Sequence, residues 1–306
     1  MGFASQIACP PACVDDFGGT QTPFITAQPC LTAMWMEDPR LPPGSQIPVL
    51  AFYFAGKNEW FDEACQAGFL GNFWPCQFKL TPPLCTETPQ EGAMLPRDVL
   101  FSNSESAFQA LKWWRTHALQ FASTSGAEAF SLKKKLAGSE DRSYGGFGGN
   151  WAGMAACLRA KFCSNESLKA SLLATADAFL LEHNTKPGRD SIWSDNHTGD
   201  GTNFLGLQLM LLREELRESH VTGRTREQES ACAHPSHAAA SSPTSRSSAA
   251  PAWSDFIATT CDCPGILDPA GPGGKDDIGR WQAVVMSAAA AVFEAEERLM
   301  KRRKSA

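Results

Sequence analysis

The sequence predicts a mainly α protein: a single helical domain with a few short strands, then a disordered linker and a C-terminal amphipathic helix. Apolar residues recur at the 3.6-residue helical period in successive stretches between residues 104 and 219. The run P-V-L-A-F-Y-F over residues 48 to 54 has the density of β-formers that suits a buried strand. Residues 222 to 252, centred on A-H-P-S-H-A-A-A-S-S-P-T-S-R-S-S, carry too little apolar surface to offset chain entropy.

In order along the chain, residues 1–45 are rich in Pro, Gly, Thr and Gln and read as an irregular arm. The domain spans 46–220. After the strand come a loop and the aromatic segment G-F-L-G-N-F-W-P-C-Q-F, read as irregular or strand-like. A helix runs from Ser104 to about Ala122, and a shorter one over 126–137 ends in K-K-K. The turn Y-G-G-F-G-G-N follows, with Asn150 as N-cap of a helix over 151–163 that buries Met154, Leu158 and Phe162. Ser164 or Asn165 restarts the chain into a helix with Leu168, Leu172 and Leu173. Beyond the Phe179-Leu180-Leu181 run, a long polar loop leads to a helix over 203–219 with Leu205, Leu209, Leu212 and Leu216 inward. The linker covers 221–252 and the tail 253–306. The tail helix sets Trp281, Val285, Ala288, Val292 and Leu299 near one face, and its basic end suits the helix dipole. That face either docks on the domain or meets a protein partner; the basic cluster also resembles a nuclear-import signal.

The 306-residue chain, 43% hydrophobic, can bury one good-sized core. Its net charge of −6 argues against a general nucleic-acid binder, which needs clustered Lys and Arg, but not against a pocket for one nucleotide. No apolar run reaches the roughly 18 residues that span a membrane, so a soluble protein with no membrane partner is expected. The N-terminus lacks the pattern of a secretory signal and misses the myristoylation pattern at Gln6. A cytoplasmic location follows, with an organellar or nuclear address left open. Among the eleven cysteines, Cys9/Cys13 and Cys261/Cys263 are close pairs without the second half of a zinc site. Cys65, Cys76, Cys85, Cys157 and Cys163 read as small core residues.

Two segments carry candidate chemistry. In F-S-N-S-E-S-A-F-Q-A-L-K-W-W, Glu105, Gln109 and Lys112 share a helix stripe opposite Ala107, Phe108, Leu111 and Trp114. Ser102-x-x-Glu105 also matches a capping box, so taken alone Glu105 reads as a cap before it reads as a catalyst. The loop after residue 187 packs Arg189, Asp190, Trp193, Asp195, Asn196, Asp200 and Asn203 between glycines. A loop this long inside a compact domain is more often functional than idle, although Asp200-Gly201 reads as a turn and Asn203 as an N-cap. The six His are scattered, and there is no H-x-x-x-H, no G-x-S-x-G elbow and no phosphate-binding P-loop. No metal and no cofactor is called for. Carboxylates, aromatics and amides remain, a set suited to a sugar or nucleoside.

The blocks F-L-G-N-F-W-P, F-S-N-S-E-S-A-F-Q-A-L-K, N-W-A-G-M-A-A-C-L-R-A-K-F, L-L-A-T-A-D-A-F-L-L-E-H-N and W-S-D-N-H-T-G-D-G-T-N-F-L-G-L-Q-L-M-L-L-R-E-E-L resemble the YbiA-like, or NADAR, family. They occur in family order and cover about 48 to 218. The resemblance implies a mostly helical domain with N-glycosidase activity on phosphorylated ribosylamines of the riboflavin pathway. Its alternatives are removal of ADP-ribose from guanine bases, which makes a modified nucleic acid a second substrate class, and a non-catalytic module for ADP-ribose or NAD.

By the same resemblance Glu105 is the catalytic glutamate, Trp151 the pocket tryptophan and Asp195 the loop aspartate. Asn72, Lys112, Trp193 and Asn203 match further motif positions. Cleaving a riboside C1–N bond builds positive charge at C1, which a carboxylate about 3 Å away stabilises, or serves by orienting a water. Trp151 and Trp193 would stack on the base, and Asp195 would hold ribose hydroxyls or activate water. Lys112 and Arg189 would serve the phosphate or the leaving group. The chain departs from the family at Ser106, where a His is usual. It departs again before Trp151, where Lys133, Lys134, Lys135 and Arg142 sit in a shifted, glycine-rich context.

Overall fold

The computed structural model describes residues 34–37, 43–54, 59–85, 95–222 and 274–305. The linker, most of the N-terminal arm and the pairs Cys9/Cys13 and Cys261/Cys263 lie outside the described residues.

A three-stranded sheet forms the spine: β1 (Trp35–Glu37), β2 (Gln46–Phe52) and β5 (Phe179–Glu182), in the order β1-β2-β5. β1 runs antiparallel to β2 with Met36 opposite Ile47, so part of the arm expected to be irregular is a strand. β5 lies parallel to β2, pairing Val49 with Phe179 and Phe52 with Glu182. The Phe179-Leu180-Leu181 run is continuous because all three side chains are buried, the usual pattern of a covered parallel strand. A small antiparallel ladder of β3 (Phe78–Leu80) and β4 (Val99–Phe101) stands apart from this sheet.

α1 (Trp60–Cys65) packs on β2. The helix expected over 104–122 is two helices, α2 (Ser104–Leu111) and α3 (Trp114–Ala122). The break follows from two adjacent tryptophans drawn to different partners: the Trp113 indole donates to Ser139 Oγ at 3.0 Å, and the Trp114 indole to the Pro96 carbonyl at 3.1 Å. The amides of Lys112 and Trp113 close three-residue turns onto Gln109 and Ala110, ending α2. α2 then packs against α3, α4 (Gly126–Leu136) and α5 (Asn150–Cys163). α6 (Glu166–Ala174) begins at the Asn165 cap, whose Oδ1 accepts from the Leu168 amide at 3.0 Å.

α7 (Phe204–Thr222) packs on β5 with Leu205, Leu209, Leu212 and Leu216 buried as the sequence predicts. α8 (Gly274–Ser305) lies against all three strands of the sheet. Its Trp281, Val285, Ala288 and Val292 are buried, so the face that the sequence offers to a partner is occupied by the domain itself. Among the described residues, no helix is long and apolar enough to cross a membrane.

Candidate active site

Every residue of α2 is buried, polar ones included. A helix buried all round is normally apolar, so Glu105 and Gln109 inside it have to be satisfied locally. Gln109 Nε2 donates to Glu105 Oε1 at 2.9 Å, and Lys112 Nζ donates to Gln109 Oε1 at 2.8 Å. The predicted stripe is therefore a hydrogen-bonded chain rather than a solvated face. The capping box is not there. Asn103 caps the helix, its Oδ1 accepting from the Ser106 amide at 2.8 Å and the Ser106 hydroxyl at 2.9 Å, while Ser102 Oγ donates to the Thr124 carbonyl. Released from capping, Glu105 keeps its Oε2 without a hydrogen bond among the described residues.

Burial pushes the Glu105 carboxyl above its ordinary range, and the Gln109 hydrogen bond and the Lys133 and Lys112 charges pull it back. Burial lowers Lys112 to about 8, assisted by the nearby Lys133 charge. Its ammonium lies 5.1 Å from the Phe108 ring centre and 5.6 Å from that of Tyr144. Asn72 meets the start of α2, its carbonyl accepting from the Glu105 amide at 3.0 Å. Its buried Oδ1 has no hydrogen-bond partner among the described residues. The turn before it is pinned by the fully buried Lys161, whose Nζ donates to the carbonyls of Phe69 (2.6 Å) and Gly71 (3.0 Å).

An aromatic wall adjoins this chain. Phe108 stacks on Tyr144 at 5.3 Å and takes Trp193 edge-on at 5.5 Å. Trp193 leads to Phe204, and Phe204 meets Trp151 edge-on at 5.0 Å. Both predicted tryptophans are only half-buried, which leaves ring surface open. At the rim the exposed Arg189 guanidinium lies 5.4 Å from the Tyr53 ring centre. Burial pushes the Tyr53 hydroxyl up to about 12, against the pull of Arg189.

Two residues expected to contact substrate lie buried in the structure. Asp195 is completely buried, and all its side-chain partners are local. Its Oδ2 bonds His183 Nδ1 at 2.6 Å, and its Oδ1 accepts from the amides of Asn184 and His197. Asn203 is buried too, its Oδ1 accepting from the Glu182 amide and its Nδ2 donating to the Leu180 carbonyl, both at 2.9 Å. Its left-handed backbone, φ 48°, turns the side chain onto β5 instead of capping α7. The nearby Asp190 charge adds to the rise of the Glu105 pKa. Asp190 also accepts from the amides of Ile192 and Trp193, both at 2.9 Å, which fixes the Trp193 backbone.

The residue that the motif reading missed is Glu182. Asn203 binds its amide and the Asp195 amide donates to its carbonyl at 3.0 Å, so both residues hold Glu182 in place. Its Oε2 is buried without a partner among the described residues. Desolvation raises its pKa well above the usual carboxylate range, and the charges of Asp190, Glu105 and Asp195 add to that. A carboxylate at the C-terminal end of a parallel strand was the available signal, since ligands gather at such ends.

A family model described as the NADAR domain matches residues 53–217. Riboflavin biosynthesis protein VVA0006 of Vibrio vulnificus is 32% identical over 153 residues, 49% of this chain and 36% of that protein. N-glycosidase YbiA of Escherichia coli is 49% identical over 63 residues, 21% of this chain and 38% of that protein. The chain thus spans little more than a third of the length of these curated relatives. The NMR structure of the E. coli protein YbiA aligns over 59% of this chain and 93% of its own, at 24% identity and a TM-score of 0.42.

Proposed function

This chain belongs to the NADAR domain family, and on that footing we propose that it is an N-glycosidase hydrolysing the C1–N bond of a phosphorylated ribosylamine. The observation that carries the reading is the desolvated Glu105 carboxylate, tied by one oxygen to Gln109 with the other open, beside the aromatic wall. A carboxylate fixed in this way faces the positive charge that builds on C1 as the nitrogen leaves, and its raised pKa suits it to take a proton from the attacking water. Glu182, whose pKa burial also raises, is an acid able to donate to a ring or leaving-group atom. Lys112, held near neutrality, is fitted to exchange a proton as the nitrogen departs. Trp151 and Trp193 offer flat apolar surface to the base, and Arg189 a fork for phosphate. The names of the relatives, a riboflavin biosynthesis protein and N-glycosidases, support the reaction class and point to riboflavin-pathway intermediates as substrates.

The test is a release assay on the full chain, wild type beside Glu105→Gln. One arm holds a phosphorylated ribosylamino-pyrimidine, the other a guanine-ADP-ribosylated oligonucleotide. Glutamate-dependent release of the pyrimidine is expected. Release from the oligonucleotide alone would replace this reading with ADP-ribose removal, and ADP-ribose binding without release from either would replace it with a non-catalytic reader.

A further inference from the structure

The family-matched segment ends at residue 217, yet the loop that carries Asp190 and Trp193 is held by a helix that starts more than fifty residues later. Trp281 of α8, fully buried, donates from its indole N–H to the Thr202 carbonyl at 2.7 Å. Gln282 Nε2 donates to the Gly201 carbonyl at 2.8 Å and also to that of Gly199. Gly199 itself, at φ +87°, lies so close to α8 that a Cβ there would stand 2.7 Å from the Met286 Cα. Two turns further on, Phe293 meets the rings of His183 and His197 edge-on, at 5.7 and 5.2 Å. His183 is the partner of Asp195.

These contacts continue into the site. Thr202 ties the two ends of the loop together: its amide donates to the Ser191 carbonyl at 2.8 Å and its hydroxyl to the Ile192 carbonyl at 2.6 Å. The amides of Ile192 and Trp193 are in turn held by Asp190. From Trp281 to Trp193 there is a continuous path of hydrogen bonds and one peptide unit. The helix also divides its work. Val285, Ala288 and Val292 bury apolar surface, whereas the polar atoms of Trp281 and Gln282 aim at loop carbonyls. Apolar burial alone would anchor the helix; donors on the loop carbonyls of Gly199, Gly201 and Thr202 order the loop.

We propose that Trp281 and Gln282 are positioning residues of the active site, so that the functional unit is the family domain together with α8. The turnover part rests on the N-glycosidase reading; the loop-ordering part does not. In the full chain, Gln282→Met removes donors at nearly constant volume, and Trp281→Phe removes the indole donor together with part of the buried ring. Val285→Ala weakens the same helix without removing a donor to the loop.

Amide hydrogen exchange over 191–205 is expected to quicken about tenfold in the first two variants and to stay at the wild-type rate in Val285→Ala, at a matched loss of thermal stability. On the ribosylamine substrate, kcat should fall about tenfold with KM changed much less, because misplaced reacting groups cost turnover. Unchanged loop exchange in Gln282→Met and Trp281→Phe, or equal effects from Val285→Ala, would overturn the proposal. A wild-type chain that releases nothing would sink the N-glycosidase reading instead, and the exchange data would still decide the role of α8.

Discussion

Gln109 donates to Glu105 Oε1 at 2.9 Å, one turn along a helix that is buried on every side. The amide fixes the carboxylate without neutralising it, and it passes the link on to Lys112. Reactivity and stability are set against one another at this point, because a carboxylate whose pKa is raised by burial is costly when ionised.

Glu105→Gln is therefore expected to lose turnover about 10³-fold while its melting temperature at pH 7 holds or rises. With its pKa raised in the fold, Glu105 favours folding below its ordinary titration range, and that advantage is lost as pH climbs through the folded value. A glutamine escapes the loss and still accepts from Gln109. Wild-type turnover in this variant would end the assignment.

Lys112 titrates near 8, so its ammonium is present below that pH and disappears above it. The kcat/KM profile should carry a descending limb near pH 8, and Lys112→Arg, whose guanidinium stays charged and cannot give up its proton, should lose that limb together with most of the turnover. A rising limb at the same pH would mean that the free amine is the working form.

Trp151→Ala should weaken ligands that carry a base by about tenfold while leaving ribose 5-phosphate unaffected, since only the base needs the ring. Calorimetric titration of the two ligand types separates these outcomes. Equal affinities for wild type and variant would remove the stacking role.

Asp195 and Asp190 should fail in different ways. Asp195→Asn disturbs the buried pair with His183 and is expected to cost about 1–3 kcal/mol of stability. Asp190→Asn keeps an acceptor for the Ile192 and Trp193 amides but removes a charge that raises Glu105, so the acidic limb of kcat/KM should shift to lower pH. Chemical denaturation and a pH profile for each variant check the contrast.

Lys161→Met should destabilise by about 3 kcal/mol, because two buried carbonyls lose their donor. Burial lowers Lys161 to about 8 from 10.5, so between those values the unfolded chain binds the proton that the fold refuses. Wild-type stability should gain a rising component across that window, and the variant should lack it.

The helices, their buried faces and the grouping of Glu105, Lys112, Trp151 and Trp193 were legible in the sequence, because helical periodicity and family motifs are local signals. The N-terminal strand β1 was hidden because its three residues are too few to show a period. The split between α2 and α3 was hidden because Trp113 and Trp114 fit one apolar stripe as well as two separate pockets.

Nothing local said where Asp195 and Asn203 point. Both sit in or beside a loop whose Asn196, His197 and Asn203 adopt positive φ, a conformation that redirects side chains away from where a strand or helix would send them. The sequence by itself determined which residue types gather at this site and on which helices they ride. Only the tertiary structure decided that both Asp195 oxygens are hydrogen-bonded while Glu182 Oε2 is buried without a partner among the described residues, and that α8 packs on the loop. Those outcomes depend on hydrogen bonds between residues tens of positions apart, whose partners no single stretch of chain contains.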